Sequence, residues 1–208
     1  GMQDLNPIFY IIVLLMSVVI HEVAHGYAAL YFGDKTAQYA GRLTLNPLKH
    51  LDPFGSVILP LILVITNAPF LIGWAKPVPY NPENLRDKKK GTIWVASAGI
   101  LANLAIAVFF SIVVRVSVAM GILGASFISL ASVIILLNIV LAFFNLIPIP
   151  PLDGSKILFT LLGNNSRKFE NFFSKYSLFI LLFFIFFVWQ YVSPLIYIVF
   201  RFLTGLAL

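Results

Sequence analysis

Ser17-Val18-Val19-Ile20-His21-Glu22-Val23-Ala24-His25-Gly26-Tyr27 decides how this chain is read. Residues four apart share one face of a helix, so His21 and His25 can offer two ring nitrogens to one tetrahedral zinc ion, with Glu22 beside them as general base. The flanks matter as much as the motif, because no other charged residue occurs between Asp4 and Asp34. Leu5 to Tyr31 therefore reads as a membrane span carrying a metal-hydrolase pattern.

Composition supports the span. Of 208 residues 60% are hydrophobic and only 11% are charged, and the mean hydropathy is +0.97. In a soluble domain about a quarter of residues are charged. A soluble globule of this size has too little polar surface to cover so much Phe, Ile and Leu. There is no cysteine, so disulfides and thiolate zinc sites are excluded, and a metal must be held by His and carboxylate. The net charge of +6 does not indicate nucleic acid, because the basic residues fall in short loops between apolar runs, where Lys and Arg set topology. The N-terminus lacks the positive region of a signal peptide, and the first apolar run is expected to be a retained span.

The expected fold class is an all-α polytopic membrane protein: a helical transmembrane bundle with a re-entrant segment and a short cytoplasmic-side β-hairpin. Residues 2–208 form one transmembrane domain, with spans over about 5–31, 92–118, 126–150 and 176–203, each near the roughly 20 residues a bilayer requires. The last run reads either as one span kinked near Pro194 or as a hairpin. Arg115 is expected to snorkel at a helix end.

Segment 54–74 has spanning length but holds Gly55, Pro60, Pro69 and Gly73, so it spans or re-enters. If it re-enters, one face collects twelve of the fourteen basic residues, the cleaner positive-inside assignment. A third metal ligand gives the same answer. The best candidate is Asp153, which follows the apolar run ending at Leu152, whereas Asp4, Asp34, Asp52, Glu83, Asp87 and Glu170 lie in loops or polar flanks. Two crossings between His25 and Asp153 bring them to one side; three would separate them. Asp153 also suits a helix N-terminus, a role compatible with ligation. Pro148, Pro150 and Pro151 open the backbone ahead of it, which membrane proteins tolerate where the broken segment lines a polar cavity.

Three motifs in order, His21-Glu22-Val23-Ala24-His25, then Ala98-Gly99-Ile100-Leu101-Ala102-Asn103, then Asn145 to Gly154 with its N-x-x-P and L-D-G elements, resemble the site-2 protease family of intramembrane zinc metalloproteases. The resemblance covers most of the chain and is to a minimal form without PDZ or CBS domains. It implies one zinc ion held by His21, His25 and Asp153, Glu22 as the catalytic residue that activates water, and Asn145 lining the substrate cleft. Asn103, an amide in an apolar helix, has two readings, substrate contact or interhelical hydrogen bonding. Asn138 is read as packing, and His50 as a solvated loop histidine.

The implied function is hydrolysis of peptide bonds within or near transmembrane segments of membrane-protein substrates. Expected partners are such a substrate and the lipid bilayer, with no nucleic acid, and the expected location is a bacterial cell membrane. Tyr39 to Asn46, alternating from Arg42 onward, is the expected hairpin strand whose edge pairs with an unwound substrate. The alternative reading is a non-catalytic metal-binding scaffold or carrier; Glu22 speaks against it, since such a site needs no base.

Overall fold

The computed structural model describes residues 7–66, 74–122, 124–163 and 167–206. The first span is α1 (Pro7–Tyr31), and a short α2 (Thr36–Tyr39) follows it. A π-helical turn (Pro53–Ile58) leads into α3 (Leu59–Ile65). After an extended stretch come α4 (Lys88–Met120), α5 (Ala125–Leu146), α6 (Asp153–Leu162) and α7 (Arg167–Lys175). The chain ends in α8 (Ser177–Phe183), a π turn (Phe184–Val188) and α9 (Trp189–Thr204). Among the described residues four helices are long and apolar enough to cross a membrane: Ile8–Tyr31, Lys88–Met120, Ala125–Leu146 and the continuous Ser177–Thr204. The chain is a multi-pass membrane protein.

Helix α4 is the centre of the bundle and packs against α1, α5 and α6. Ala107 and Val114 of α4, Ala131, Ile135 and Ile139 of α5, and Ile196 and Phe200 of α9 form one buried cluster. Alanines at the crossing let the backbones approach closely, which drives packing in lipid, where hydrophobicity does not distinguish tail from side chain. The outer faces carry exposed Phe109, Ile112, Phe179, Phe183, Phe186 and Phe202, a surface that suits acyl chains.

The boundaries follow from local chemistry. Asp87 caps α4, its carboxylate accepting from the Lys90 amide at 2.9 Å. Helix α5 ends at Leu146, short of the expected 150, because the residue before Pro148 is pushed out of the helical region; Ile147 has ψ 131°. The last run is a single span, and Pro194 lies within it. Pro194 cannot donate to the Gln190 carbonyl, and the Ser193 hydroxyl does so instead at 3.3 Å. Arg115 does more than snorkel: its guanidinium donates to the carbonyls of Leu203 and Phe202 at 2.5 Å each, capping the end of α9.

The connection between α1 and α4 closes on itself. The Arg86 amide donates to Phe32 O at 2.9 Å. Asp34 accepts from the Asn81 amide at 2.7 Å and Asn84 Nδ2 at 2.9 Å. Leu51 and Ala75 form an antiparallel bridge, and Lys76 N donates to His50 O at 2.8 Å. The chain thus leaves α1 and enters α4 at one place, and the excursion from Asp52 to Trp74 begins and ends at adjacent residues. Residues 67–73 of the expected re-entrant segment, and 5–6 of the first expected span, lie outside the described residues.

The expected β-hairpin is corrected: the described residues contain no strand, and the Leu51–Ala75 bridge stands isolated. Tyr39 closes α2 and Gly41 makes a turn, after which Arg42 folds inward to donate from Nη2 to Lys76 O at 2.7 Å. Prolines 47 and 53 flank one side of the bridge and prolines 77 and 79 the other, removing amides that a ladder needs. Substrate pairing at Tyr39 to Asn46 therefore lacks its strand. His50 is also corrected. It is fully buried rather than solvated, and its Nε2 lies 2.8 Å from Thr44 O.

Candidate metal centre

His21 and His25 occupy successive turns of α1, on the face turned to α4. Helix α4 fixes both rings. His25 Nδ1 lies 2.6 Å from Val95 O, and His21 Nδ1 lies 2.6 Å from Asn103 Oδ1. A carbonyl oxygen only accepts, so Nδ1 of His25 carries the proton and Nε2 presents its lone pair inward. Gly99 lies between these two partners on α4, and a Cβ there would sit 2.5 Å from His21 Cε1 and 2.6 Å from both ring nitrogens. The imidazole rests directly on the glycine backbone, and this is the physical content of the Ala98-Gly99 pair in the sequence.

Asp153 arrives from the far end of the chain. Leu152 is the N-cap of α6 and Asp153 its first residue, buried to 4% exposure. Gly154 permits the approach, since a Cβ would lie 2.1 Å from Leu146 O. Asp153 Oδ2 is 3.1 Å from both His21 Nε2 and His25 Nε2, and the two nitrogens are 3.0 Å apart. Lys156 Nζ lies 3.0 Å from the other oxygen, Oδ1.

This triangle of lone-pair atoms fits a small divalent cation. Tetrahedral zinc with bonds of about 2.0–2.1 Å separates its ligands by roughly 3.3 Å, a few tenths of an ångström more than the spacing here. Two imidazole nitrogens and a carboxylate oxygen turned toward one another otherwise face mutual repulsion in a buried site.

Glu22 is half-buried, with a carboxylate oxygen within 4.8 Å of ligand atoms on both histidines. Distance alone thus offers two carboxylates, but Asp153 is the closer, and it bridges both nitrogens. Glu22 Oε2 instead accepts from the Val78 amide at 2.8 Å, the one backbone donor of Pro77-Val78-Pro79. Asn103 is fully buried and borders His21. Asn145 is half-buried and stands apart, its Nδ2 donating to Leu141 O of its own helix at 2.9 Å. Asn138, read from the sequence as packing, accepts at 2.8 Å from Asn103 Nδ2. Val78, and Ser17 whose carbonyl accepts from Asn103 Nδ2 at 3.3 Å, went unnoticed in the sequence; the only signal for Val78 was its place between two prolines in an extended stretch.

The model of peptidase family M50 matches residues 115–188, which include Asp153. A Bacillus subtilis (strain 168) protein named "Putative zinc metalloprotease YwhC" is 42% identical over 164 residues, 76% of this chain and 71% of that protein. A Mycolicibacterium smegmatis protein named "Putative zinc metalloprotease Rip2" is 33% identical over 144 residues, and its Mycobacterium tuberculosis (strain ATCC 25618 / H37Rv) namesake is 28% identical over 147. The chain spans about half the length of these two relatives, 52% in each case. No solved structure matches the chain. The four membrane-length helices, the metal-fitting cluster on α1 and α6, and these likenesses lead to one assignment: the chain belongs to peptidase family M50, the site-2 proteases, and is a metalloprotease.

Proposed function

We propose that the chain is an intramembrane zinc endopeptidase that hydrolyses peptide bonds within or near transmembrane segments of membrane-protein substrates in a bacterial cell membrane. The observation that carries this reading is the triangle of His21 Nε2, His25 Nε2 and Asp153 Oδ2, at 3.0–3.1 Å, beside Glu22 in a bundle of span-length helices. His21, His25 and Asp153 hold one zinc ion. Bound there, zinc supplies a positive charge that polarises a scissile carbonyl and lowers the pKa of a water to about 7.

Glu22 takes the proton of the attacking water and returns it to the leaving amine, and the Val78 amide keeps its carboxylate aimed at the site. Lys156 keeps Asp153 ionised and ready to ligate. Asn145, on the last turns of α5, contacts the substrate backbone after giving up its bond to Leu141 O. Segment 54–74 dips into the bilayer and returns, a reading supported by the closure at Leu51 and Ala75. It puts Asp34, Glu83 and α7 on the cytoplasmic side.

The test is purification followed by zinc measurement and cleavage of a panel of transmembrane substrates. Glu22→Gln retains stoichiometric zinc and loses cleavage by at least about 100-fold, within the usual contribution of a general base. Asp153→Ala loses zinc, whereas Asp52→Ala retains it. Cleavage undiminished in Glu22→Gln would refute the mechanism, and bound zinc without cleavage by the wild type would leave the scaffold or carrier reading.

A further inference from the structure

A second set of buried polar groups sits behind the metal centre and takes no part in the chemistry just described. Ser17 of α1, Asn103 of α4 and Asn138 of α5 lie in the bundle interior, the two amides fully buried and Ser17 4% exposed. Asn103 Nδ2 donates to Asn138 Oδ1 at 2.8 Å and to Ser17 O at 3.3 Å. Asn138 Nδ2 donates to Ser17 Oγ at 2.9 Å and to Ile134 O at 2.9 Å. The chain of bonds ends on His21 Nδ1, 2.6 Å from Asn103 Oδ1.

The direction of every bond in this relay is forced. Ile134 O and Ser17 O are backbone carbonyls and can only accept, so the amino ends of Asn138 and Asn103 must face them. Asn138 Oδ1 is then left as an acceptor, which Asn103 Nδ2 fills, and Asn103 Oδ1 is left facing His21. His21 Nδ1 must therefore be the protonated nitrogen, and Nε2 must carry the lone pair. A flipped Asn103 would present N–H to Nδ1, put the proton on Nε2 and leave no lone pair toward Asp153 and His25. His25 needs no relay, because Val95 O sets its tautomer directly.

We infer that Asn103, backed by Asn138 and Ser17, is a positioning residue for the metal site: it sets the tautomer and ring orientation of His21 rather than contacting substrate. Orienting partners of this kind are worth about 10–100-fold in metal affinity. Asn103 binds no metal and touches no substrate atom; it acts through His21. The inference rests on the zinc site proposed above.

Zinc affinity, measured by chelator competition on the purified full chain, tests it without recourse to activity. Asn103→Leu, close in volume but without an acceptor, weakens zinc by about 10–100-fold. Asn103→Asp keeps an acceptor toward His21 but turns its second oxygen toward Asn138 Oδ1 and Ser17 O, so it weakens zinc measurably less than Asn103→Leu does. Asn138→Leu, which leaves Asn103 anchored on Ser17 O, also weakens zinc by less than Asn103→Leu. Wild-type zinc affinity in Asn103→Leu, or equal weakening in the Asp and Leu variants, overturns the inference, because loss of packing alone would not distinguish the two. Should Asn103→Leu fail to fold, Asn138→Leu carries the test, and unchanged affinity there overturns the relay. Retained zinc in His21→Ala is a different outcome: it refutes the zinc site itself.

Discussion

Glu22 and Asp153 are carboxylates near the same two imidazoles, and their surroundings separate their roles. Asp153 is buried, lies 3.1 Å from both Nε2 atoms and has Lys156 behind it, a setting that suits the proposed ligand. Glu22 is half-buried and held by one amide, which leaves the other carboxylate oxygen open for the role of base proposed for it. Gly99 belongs to the same scale, since the His21 ring occupies the space of its missing side chain. Gly99→Ala is expected to tilt that ring and weaken zinc by about 10–100-fold, the range for a disturbed ligand orientation. Chelator competition on the purified variant measures it, and unaltered affinity would show that the ring shifts without consequence. The His–Glu–His triplet was legible from spacing alone. The contact with Gly99 was not, because a glycine in an apolar helix gives no sign of which ring lies against it.

At the scale of elements, the joint between α1 and α4 holds the two faces of the site together. Asp34 Oδ1 accepts from the Thr36 amide at 3.1 Å, Thr36 Oγ1 at 2.5 Å and Asn84 Nδ2 at 2.9 Å, while Oδ2 accepts from Asn81 N. Burial raises the Asp34 carboxyl, but the bonds from Thr36, Asn84 and Asn81 outweigh it and hold the group below its ordinary value. A carboxylate with a depressed folded pKa contributes stability that is full above its unfolded value, about 3.9, and is lost as pH falls through the lower folded one. Asp34→Ala is expected to destabilise the protein by about 2–4 kcal/mol, because several donors lose a charged acceptor. Thermal unfolding in detergent reads this directly. The gap between wild type and Asp34→Asn should be complete above about pH 5 and narrow below about pH 4; a gap independent of pH would exclude ionised Asp34 as its source. From the sequence Asp34 was one of several polar-flank acids, since two of its partners, Asn81 and Asn84, lie some fifty residues away.

For the whole molecule, the question is which ends meet. Phe32 with Arg86, Asp34 with Asn81, and Leu51 with Ala75 each join the two sides of the α1–α4 connection. With α4 and α5 as two crossings, α6 then returns to the side on which α1 ended, and Asp153 reaches the histidines. Cysteine labelling is direct in a chain with no native cysteine. Single cysteines at the exposed positions Gln38, Lys89 and Lys168 are expected to react from one membrane face, and one at Met120 from the other. Reaction of Gln38 and Lys89 from opposite faces would break the parity on which the site depends.

Hydropathy, the prolines and the histidine spacing were enough to determine a helical membrane protein with a metal motif on its first span, because each of these signals is local and repeats within a few turns. They also pointed to Asp153, through charge distribution and the count of crossings. The tertiary structure alone decided what surrounds the candidate site: Gly99 beneath His21, Val78 on Glu22, and the amides of Asn103 and Asn138 joining three helices behind it. It also replaced the expected hairpin by one isolated bridge, since strand pairing depends on a distant partner and on which amides remain to donate. Hydrogen bonds between helices are set by which faces meet at which depth, and apolar runs of nearly uniform hydropathy do not encode that rotation in any local pattern.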